Sequence, residues 1–98
     1  MIRVVCKGKL KPNVKVEDYL SLAREVVVET RKEKGCIMYT YHKDINDPSI
    51  LTTIEEWENE EAIQQHNKRE HVMRIVPELR KVRESTEINH YKEVSHGV

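Results

Sequence analysis

A chain of 98 residues with 38% hydrophobic and 35% charged residues is typical of one soluble globular domain, and excludes a disordered segment. Seventeen basic residues balance seventeen acidic ones, which argues against a surface for nucleic acid or an anionic membrane. The apolar runs are too short to span a bilayer and the charged start is unlike a signal peptide, so we expect a cytoplasmic location. Cys6 and Cys36 form no CxxC pair and are expected to be small buried hydrophobes.

The first third of the chain predicts a strand followed by an amphipathic helix. The segment "IRVVCKGKL" (2–10) is rich in β-branched residues and alternates loosely, which indicates a strand. From Lys15 onward, apolar residues recur at spacings of three and four, which predicts a helix to about Lys34. Gly35 is expected to end this helix as a left-handed cap residue, with basic side chains in the last turn.

The middle of the chain predicts an antiparallel hairpin. The segments "CIMYTYH" (36–42) and "ILTTIEEW" (50–57) indicate strands, and the Asp, Asn and Pro residues between them are typical of a turn. Alternation predicts which side chains share a face of each strand. The predicted faces are Ile37, Tyr39 and Tyr41 on the first strand, and Leu51, Thr53, Glu55 and Trp57 on the second.

The last third predicts two helical pieces and a strand. Asn59 is a plausible N-cap for a helix to about Lys68, and a further helix covers 71–82, where Pro77 should kink it or reset its start. A final strand is predicted at 86–94, and the tail at 95–98 is expected to fray. The order β-α-β-β-α-β is that of an α+β, ferredoxin-like split β-α-β antiparallel sheet in a single domain, 1–98. Its uncovered sheet face predicts a homodimer.

His66 is the candidate functional residue that the helical pattern selects. It follows Ala62 by four residues and Ile63 by three, so it shares their apolar side and should point toward the sheet. If the Glu55 face of the strand is the covered one, Glu55 is the expected partner of His66; if Ile54 and Glu56 face the helices, that pairing fails. Two interpretations stay open: a core histidine tied to a structural glutamate, or a general base oriented by a carboxylate.

Other candidate residues carry weaker patterns. His71 could face the same gap or be an exposed residue at a helix start, and Tyr39 and Tyr41 could offer pocket hydroxyls or simply pack. Arg31 could attract an anionic substrate or be an ordinary charge at a helix C-terminus. His66 and His71 lie five apart, unlike the HExxH spacing of zinc proteases, so no metal site is predicted. The chain has no glycine-rich phosphate loop and no serine elbow, so no cofactor site is predicted either.

Residues 30–72 resemble the antibiotic biosynthesis monooxygenase (ABM) domain, including small quinol monooxygenases. The positions that carry the resemblance are Arg31, Glu33, Gly35, Cys36 and Tyr39; Asp47 and Pro48; Glu55 and Trp57; and Ala62, His66 and His71. The resemblance implies a dimeric α+β barrel and oxidation of a phenol or hydroquinone by dioxygen without metal, flavin or haem. It implies His66 as base or proton shuttle, Glu55 as its partner, and His71, Tyr39 and Trp57 as residues that line or support the pocket.

Family resemblance alone leaves the reaction open, because one fold hosts many functions. The leading hypothesis is a cofactor-independent oxygenase of quinols or polycyclic phenols. The second is a non-oxidative, isomerase-type proton-transfer enzyme acting on a small hydroxy-carbonyl compound, which a group of basic residues at the pocket would favour. The third is a non-catalytic dimeric binding module, which would be indicated by the lack of a cavity beside His66.

Overall fold

The computed structural model describes residues 1–94 and contains seven elements in the predicted order. The strands are β1 (Ile2–Leu10), β2 (Cys36–Lys43), β3 (Ile50–Trp57) and β4 (Arg83–Lys92), and the helices are α1 (Val16–Thr30), α2 (Glu60–Asn67) and α3 (Glu70–Lys81). The strands form one antiparallel sheet in the order β2-β3-β1-β4. This is the predicted ferredoxin-like α+β fold. The tail expected to fray, residues 95–98, lies outside the described residues.

The alternation of β3 decides which sheet face the helices cover. Leu51, Thr53, Glu55 and Trp57 are all buried, whereas the residues between them are partly exposed. The Glu55 face is therefore the covered face, as the prediction required. Trp57 is completely buried, and the core around it combines this sheet face with the inner sides of the helices.

Strand β2 departs from simple alternation at its start. Cys36 pairs with Trp57, but Met38 pairs with the next residue, Glu56, so Ile37 is an extra residue that the partner strand does not match. A bulge of this kind reverses the alternation beyond it. The prediction that Ile37 shares the face of Tyr39 is therefore wrong: Ile37 is 52% exposed, while Tyr39 is buried.

Helix α1 ends at Thr30, four residues before the predicted end at Lys34. The amides of Lys32 and Glu33 bond carbonyls three residues back instead of four, so the chain tightens into turns and leaves the helix. Gly35 has φ +89°, and a Cβ there would lie 2.6 Å from the Cβ of Ala62. A side chain at this position would thus be strained and would collide with α2. Glycine lets the turn at 31–35 sit directly against α2.

The other helix boundaries follow from capping and proline chemistry. The Asn59 side chain accepts the Ala62 amide at 2.9 Å, which confirms the predicted N-cap of α2. Helix α3 begins at Glu70 and continues through Pro77, so the proline does not reset its start. Strand β4 begins at Arg83, three residues before its predicted start. Among the helices formed by residues 1–94, none has the length and apolar character needed to cross a membrane.

Candidate functional site

A cavity of about 390 Å³ lies between the inner face of the sheet and helices α2 and α3. Its volume falls in the range of sites for small organic ligands. Polar side chains from five elements reach it, together with apolar side chains from β1, β4, α2 and α3. The polar residues that matter below are His66 from α2, Thr53 and Glu55 from β3, Tyr39 and Tyr41 from β2, and Arg83 from β4.

His66 points inward from α2, as predicted, and is only 7% exposed. Its Nδ1 lies 3.0 Å and 3.2 Å from the two carboxylate oxygens of Glu33. Its ring packs against the indole of Trp57, with centroids 4.7 Å apart. Glu33 thus holds the edge of the imidazole, and Trp57 packs against its face. Nε2 is left as the nitrogen available to a molecule in the cavity.

Glu33 is the acceptor shared by two histidines. Its buried carboxylate receives Nδ1 of His66 at 3.0 Å and Nε2 of His71 at 2.7 Å, and Nε of Arg69 lies 3.9 Å away. An ionised carboxylate can only accept, so each histidine must present an N–H to it. In a neutral His66 the proton then sits on Nδ1, and Nε2 carries a basic lone pair. The network therefore sets the tautomer that a general base needs.

The expected pairing of Glu55 with His66 is wrong. Glu55 accepts hydrogen bonds from the Thr53 hydroxyl at 2.8 Å and from the Trp57 indole N–H at 3.0 Å. Both donors lie two residues away on the same strand face, so the strand itself satisfies the Glu55 carboxylate. Glu55 still lines the cavity, beside His66 and not bonded to it. The role of histidine partner belongs to Glu33, which only its place in the "RKEKGC" resemblance could have indicated.

Of the remaining predicted site residues, some line the cavity and others contact His66 or its partner Glu33. Tyr39 lines the cavity, and burial, with a smaller effect from the nearby Glu55 charge, raises the pKa of its phenol far above the ordinary value of 10. Trp57 supports His66 from the core and does not reach the cavity. His71 bonds Glu33, so it acts on His66 through a shared acceptor.

Arg31 lies away from the cavity that contains His66. Its Nε donates to the backbone carbonyl of Tyr39 at 2.9 Å, and the side chain borders a wider and more open depression against α1. The prediction that Arg31 contacts substrate is not met in this cavity. Instead, the guanidinium ties the turn after α1 to strand β2.

Three residues meet toward the other end of the cavity, and of these the sequence had indicated Tyr41 as a pocket hydroxyl but not Arg83 or Tyr19. Arg83 donates from Nε and Nη2 to the Tyr19 hydroxyl, at 2.9 Å and 2.6 Å, and this hydroxyl lies 3.3 Å from that of Tyr41. Tyr19 looked like an ordinary apolar-face residue of α1, and Arg83 fell before the predicted strand. Burial raises the pKa of Tyr41 well above 10, so its hydroxyl remains protonated.

Both cysteines are free and partly buried. Burial, which is the main cause, raises the pKa of Cys36 to about 11, and it also raises the pKa of Cys6. Because the thiolate is the reactive form, both side chains are poor nucleophiles at neutral pH. This agrees with their predicted role as small hydrophobic residues.

Glu33, His66 and His71 also form a group whose chemistry suits a metal ion. One ligand atom from each lies within 4.8 Å of the others, and two histidines with one carboxylate form a common set for zinc or iron. The histidine spacing alone predicted no such group, because Glu33 joins from a distant part of the chain. The donor atoms are already hydrogen-bonded to one another, so an ion would have to displace both N–H protons.

Comparisons with known proteins point to one family. The model of the family described as antibiotic biosynthesis monooxygenase, ABM, matches residues 1–78. A crystal structure of a conserved protein from Methanosarcina mazei Go1 is 40% identical with a TM-score of 0.88, covering 93% of this chain and 90% of that chain. A crystal structure of an antibiotic biosynthesis monooxygenase is 30% identical with a TM-score of 0.89, covering 96% of this chain and 99% of the other.

Two curated proteins are similar to parts of this chain. YcnE of Bacillus subtilis (strain 168), provisionally named a monooxygenase, is 31% identical over 68 residues, covering 69% of this chain and 70% of that protein. An uncharacterised Synechocystis protein, sll1783, is 31% identical over 58 residues, which cover 59% of this chain. That match spans only 39% of the Synechocystis protein.

Proposed function

The chain belongs to the antibiotic biosynthesis monooxygenase family, and from this premise we propose that it is a cofactor-independent monooxygenase of a quinol or polycyclic phenol. The observation that carries the proposal is the state of His66. Its Nδ1 is held by the buried Glu33 carboxylate while the ring borders a cavity of about 390 Å³. A histidine held in this way has one free basic nitrogen aimed at a space large enough for an aromatic substrate.

The proposed reaction starts with proton transfer to His66. A substrate hydroxyl within about 3 Å of Nε2 gives up its proton, and the Glu33 carboxylate stabilises the imidazolium that forms. The electron-rich anion then reacts with dioxygen at a ring carbon. One oxygen atom stays on that carbon as the new carbonyl, and the other leaves as water with the two hydrogens that the substrate loses. His66 returns its proton to the departing oxygen, so the enzyme ends as it began.

Apolar side chains around the cavity support this chemistry. Ile63 and Val72 on the helices and Val4 on β1 border the same space as His66. A wall of this kind excludes water, which strengthens the electrostatic pairing of His66 with Glu33 and protects a reactive anion from solvent protons. Glu55 lies on the cavity wall beside His66, where its hydrogen bonds from Thr53 and Trp57 hold it in place.

Oxygen uptake with a panel of hydroquinones and polycyclic phenols tests the proposal. We expect His66→Ala to lower kcat by about 10²- to 10⁴-fold, the usual contribution of a positioned general base. Gln64→Ala, on the exposed side of the same helix α2, is the matched control and should retain wild-type rates. Labelled dioxygen should place one atom in the product and one in water. Equal rates for wild type and His66→Ala on every substrate would exclude His66 as the base.

A second candidate function is favoured by one observation. Arg80 and Arg83 border the cavity, and basic residues there suit a non-oxidative isomerase acting on a small hydroxy-carbonyl compound. The sequence could not place Arg31, Lys68 or Arg69 at the pocket, and none of these three residues lines the cavity. Turnover in the strict absence of oxygen identifies an isomerase, because the oxygenase cannot work without its co-substrate. The third candidate, a binding module without a cavity beside His66, is disfavoured by the cavity itself.

The proposal includes a homodimer, a cytoplasmic location and no cofactor. The sheet face opposite the helices carries Val5, Ile54 and Met38, all partly buried, and a second copy packed there would complete their burial. Sedimentation should give twice the chain mass of 11.6 kDa.

Dialysis against a chelator should leave oxygen uptake unchanged. A loss of activity that zinc or iron(II) restores would instead assign a metal to the group around Glu33.

A further inference from the structure

Among residues 1–94, Arg83 is a cation on the cavity wall that has no anionic partner. Its side chain is half-buried and borders the cavity. None of the ion pairs found among residues 1–94 involves it. A charge taken partly out of water is normally paired, and a guanidinium cannot lose its proton to avoid the cost. The position is therefore suited to an anionic group that arrives with a ligand.

In the chain of hydrogen bonds that starts at Arg83, each side chain donates to the next one. Nε and Nη2 of Arg83 both donate to the Tyr19 hydroxyl, which uses the two lone pairs of that oxygen. The hydrogen of Tyr19 must then go to the Tyr41 oxygen, 3.3 Å away. This leaves the hydrogen of Tyr41 free to donate, and Tyr41 borders the cavity. The chain from Arg83 through Tyr19 to Tyr41 thus ends in a donor.

Arg83 also keeps donors of its own for the cavity. A guanidinium has five N–H groups, and two of them are used on Tyr19, so three remain. Gly8 on β1 makes room for the side chain, because a Cβ there would lie 3.0 Å from both Cδ and Nε of Arg83. Together with the Tyr41 hydroxyl, Arg83 therefore gives this end of the cavity several hydrogen-bond donors and no carboxylate.

The sheet register places the Arg83 side of this donor end well away from Glu55. Gly8, which lies against the Arg83 side chain, is four residues along β1 from Val4, which pairs with Glu55, whereas Tyr41 pairs with Thr53, two residues from Glu55. Four strand residues span about 13 Å. One end of the cavity therefore has a base and a carboxylate, and the other end has a cation with neutral donors. A rigid aromatic molecule could reach both.

We propose that Arg83 and Tyr41 form a carboxylate-binding site, so that the substrate is an aromatic hydroxy acid with its hydroxyl at His66 and its carboxylate at Arg83. This rests on the proposed function for the hydroxyl end only. A guanidinium fork matches the two oxygens of a carboxylate. A single negative charge also suits a cavity that already holds the Glu55 carboxylate, whereas a dianion such as phosphate would be repelled more strongly.

Binding without turnover tests the site. The probes are 6-hydroxy-2-naphthoate, with hydroxyl and carboxylate at opposite ends, and its methyl ester, which has the same shape without the charge. Under nitrogen, calorimetric titration of the full chain should give a Kd for the acid at least tenfold lower than for the ester. Arg83→Met should remove this preference by weakening the acid alone, and Arg83→Lys should keep part of it. Unchanged ester binding shows that the variants are folded.

The controls separate this site from the oxygenase proposal. His66→Ala should keep the preference for the acid, because its side chain serves the other end of the cavity. A preference for the acid without any oxygen uptake would remove the proposed reaction and leave the carboxylate site standing. Equal Kd values for acid and ester, or an unchanged preference in Arg83→Met, would overturn the site. Inorganic phosphate that competes more tightly than the naphthoate would overturn the carboxylate assignment.

Discussion

At each end of the cavity, one oxygen-bearing group accepts two N–H groups, but one end leaves an acceptor for a ligand and the other leaves donors. At the histidine end, the Glu33 carboxylate collects one N–H from each of two histidines. At the donor end, the Tyr19 hydroxyl collects two N–H groups from one arginine. The first network leaves a lone pair facing the cavity, and the second leaves hydrogens. The contrast shows how a small domain with balanced charge can offer an acceptor and donors to the same cavity from two separate networks.

The sharpest test of the histidine end compares its two buried glutamates. Glu33→Gln should lower kcat by about 10²-fold or more, since replacing the acid of an acid–histidine pair by an amide can cost about 10⁴. Glu55→Gln keeps one oxygen to accept from the Trp57 indole, and its NH2 can donate to the Thr53 hydroxyl, so we expect a kcat within about tenfold of wild type. Steady-state kinetics with urea unfolding separates catalysis from stability. A larger kcat loss in Glu55→Gln would restore the pairing that sequence spacing suggested.

Replacing glycine by alanine should change Tm differently at the two glycines that lie next to the two ends of the cavity. Gly35→Ala meets Ala62 at 2.6 Å with φ +89°, so it should lower the free energy of unfolding by about 1–3 kcal/mol. In a domain of this size each kcal/mol shifts Tm by about 4–8 °C. Gly8→Ala meets only the flexible side chain of Arg83, so its Tm should change much less while the acid preference weakens. Equal losses of Tm would contradict the assignment of Gly35 as the rigid contact.

Alkaline unfolding should report on the donor end with the smallest effect. Burial holds the pKa of Tyr41 above 10, so above pH 10 the unfolded chain releases a proton that the folded chain keeps. Stability is therefore intact below pH 10 and falls above it, by up to about 1.4 kcal/mol per pH unit for one group. Tyr41→Phe should show a shallower fall between pH 10 and 11 in urea titrations. Tyr91→Phe, at an exposed position, controls for the loss of a phenol.

Local patterns in the sequence were sufficient for much of the fold. The spacing of Ala62, Ile63 and His66 placed the histidine on the buried side of α2, and the alternation of β3 grouped Thr53, Glu55 and Trp57. Each of these two predictions uses only the repeat of one helix or one strand, which depends on residues close together in the chain. The bulge at Ile37 was not visible in this way, because an extra residue in a strand shows only against its partner.

The sequence by itself determined the element order and the inward direction of His66. Only the tertiary structure decided which face of β3 the helices cover and which groups His66 and Arg83 meet. Glu33 lies 33 residues from His66, and Tyr19 lies 64 residues from Arg83. Each contact depends on how a turn or helix stacks on another layer, and here on a glycine that lets backbone and side chain come close. Periodicity tells which way a side chain points, whereas packing between layers decides what it finds there.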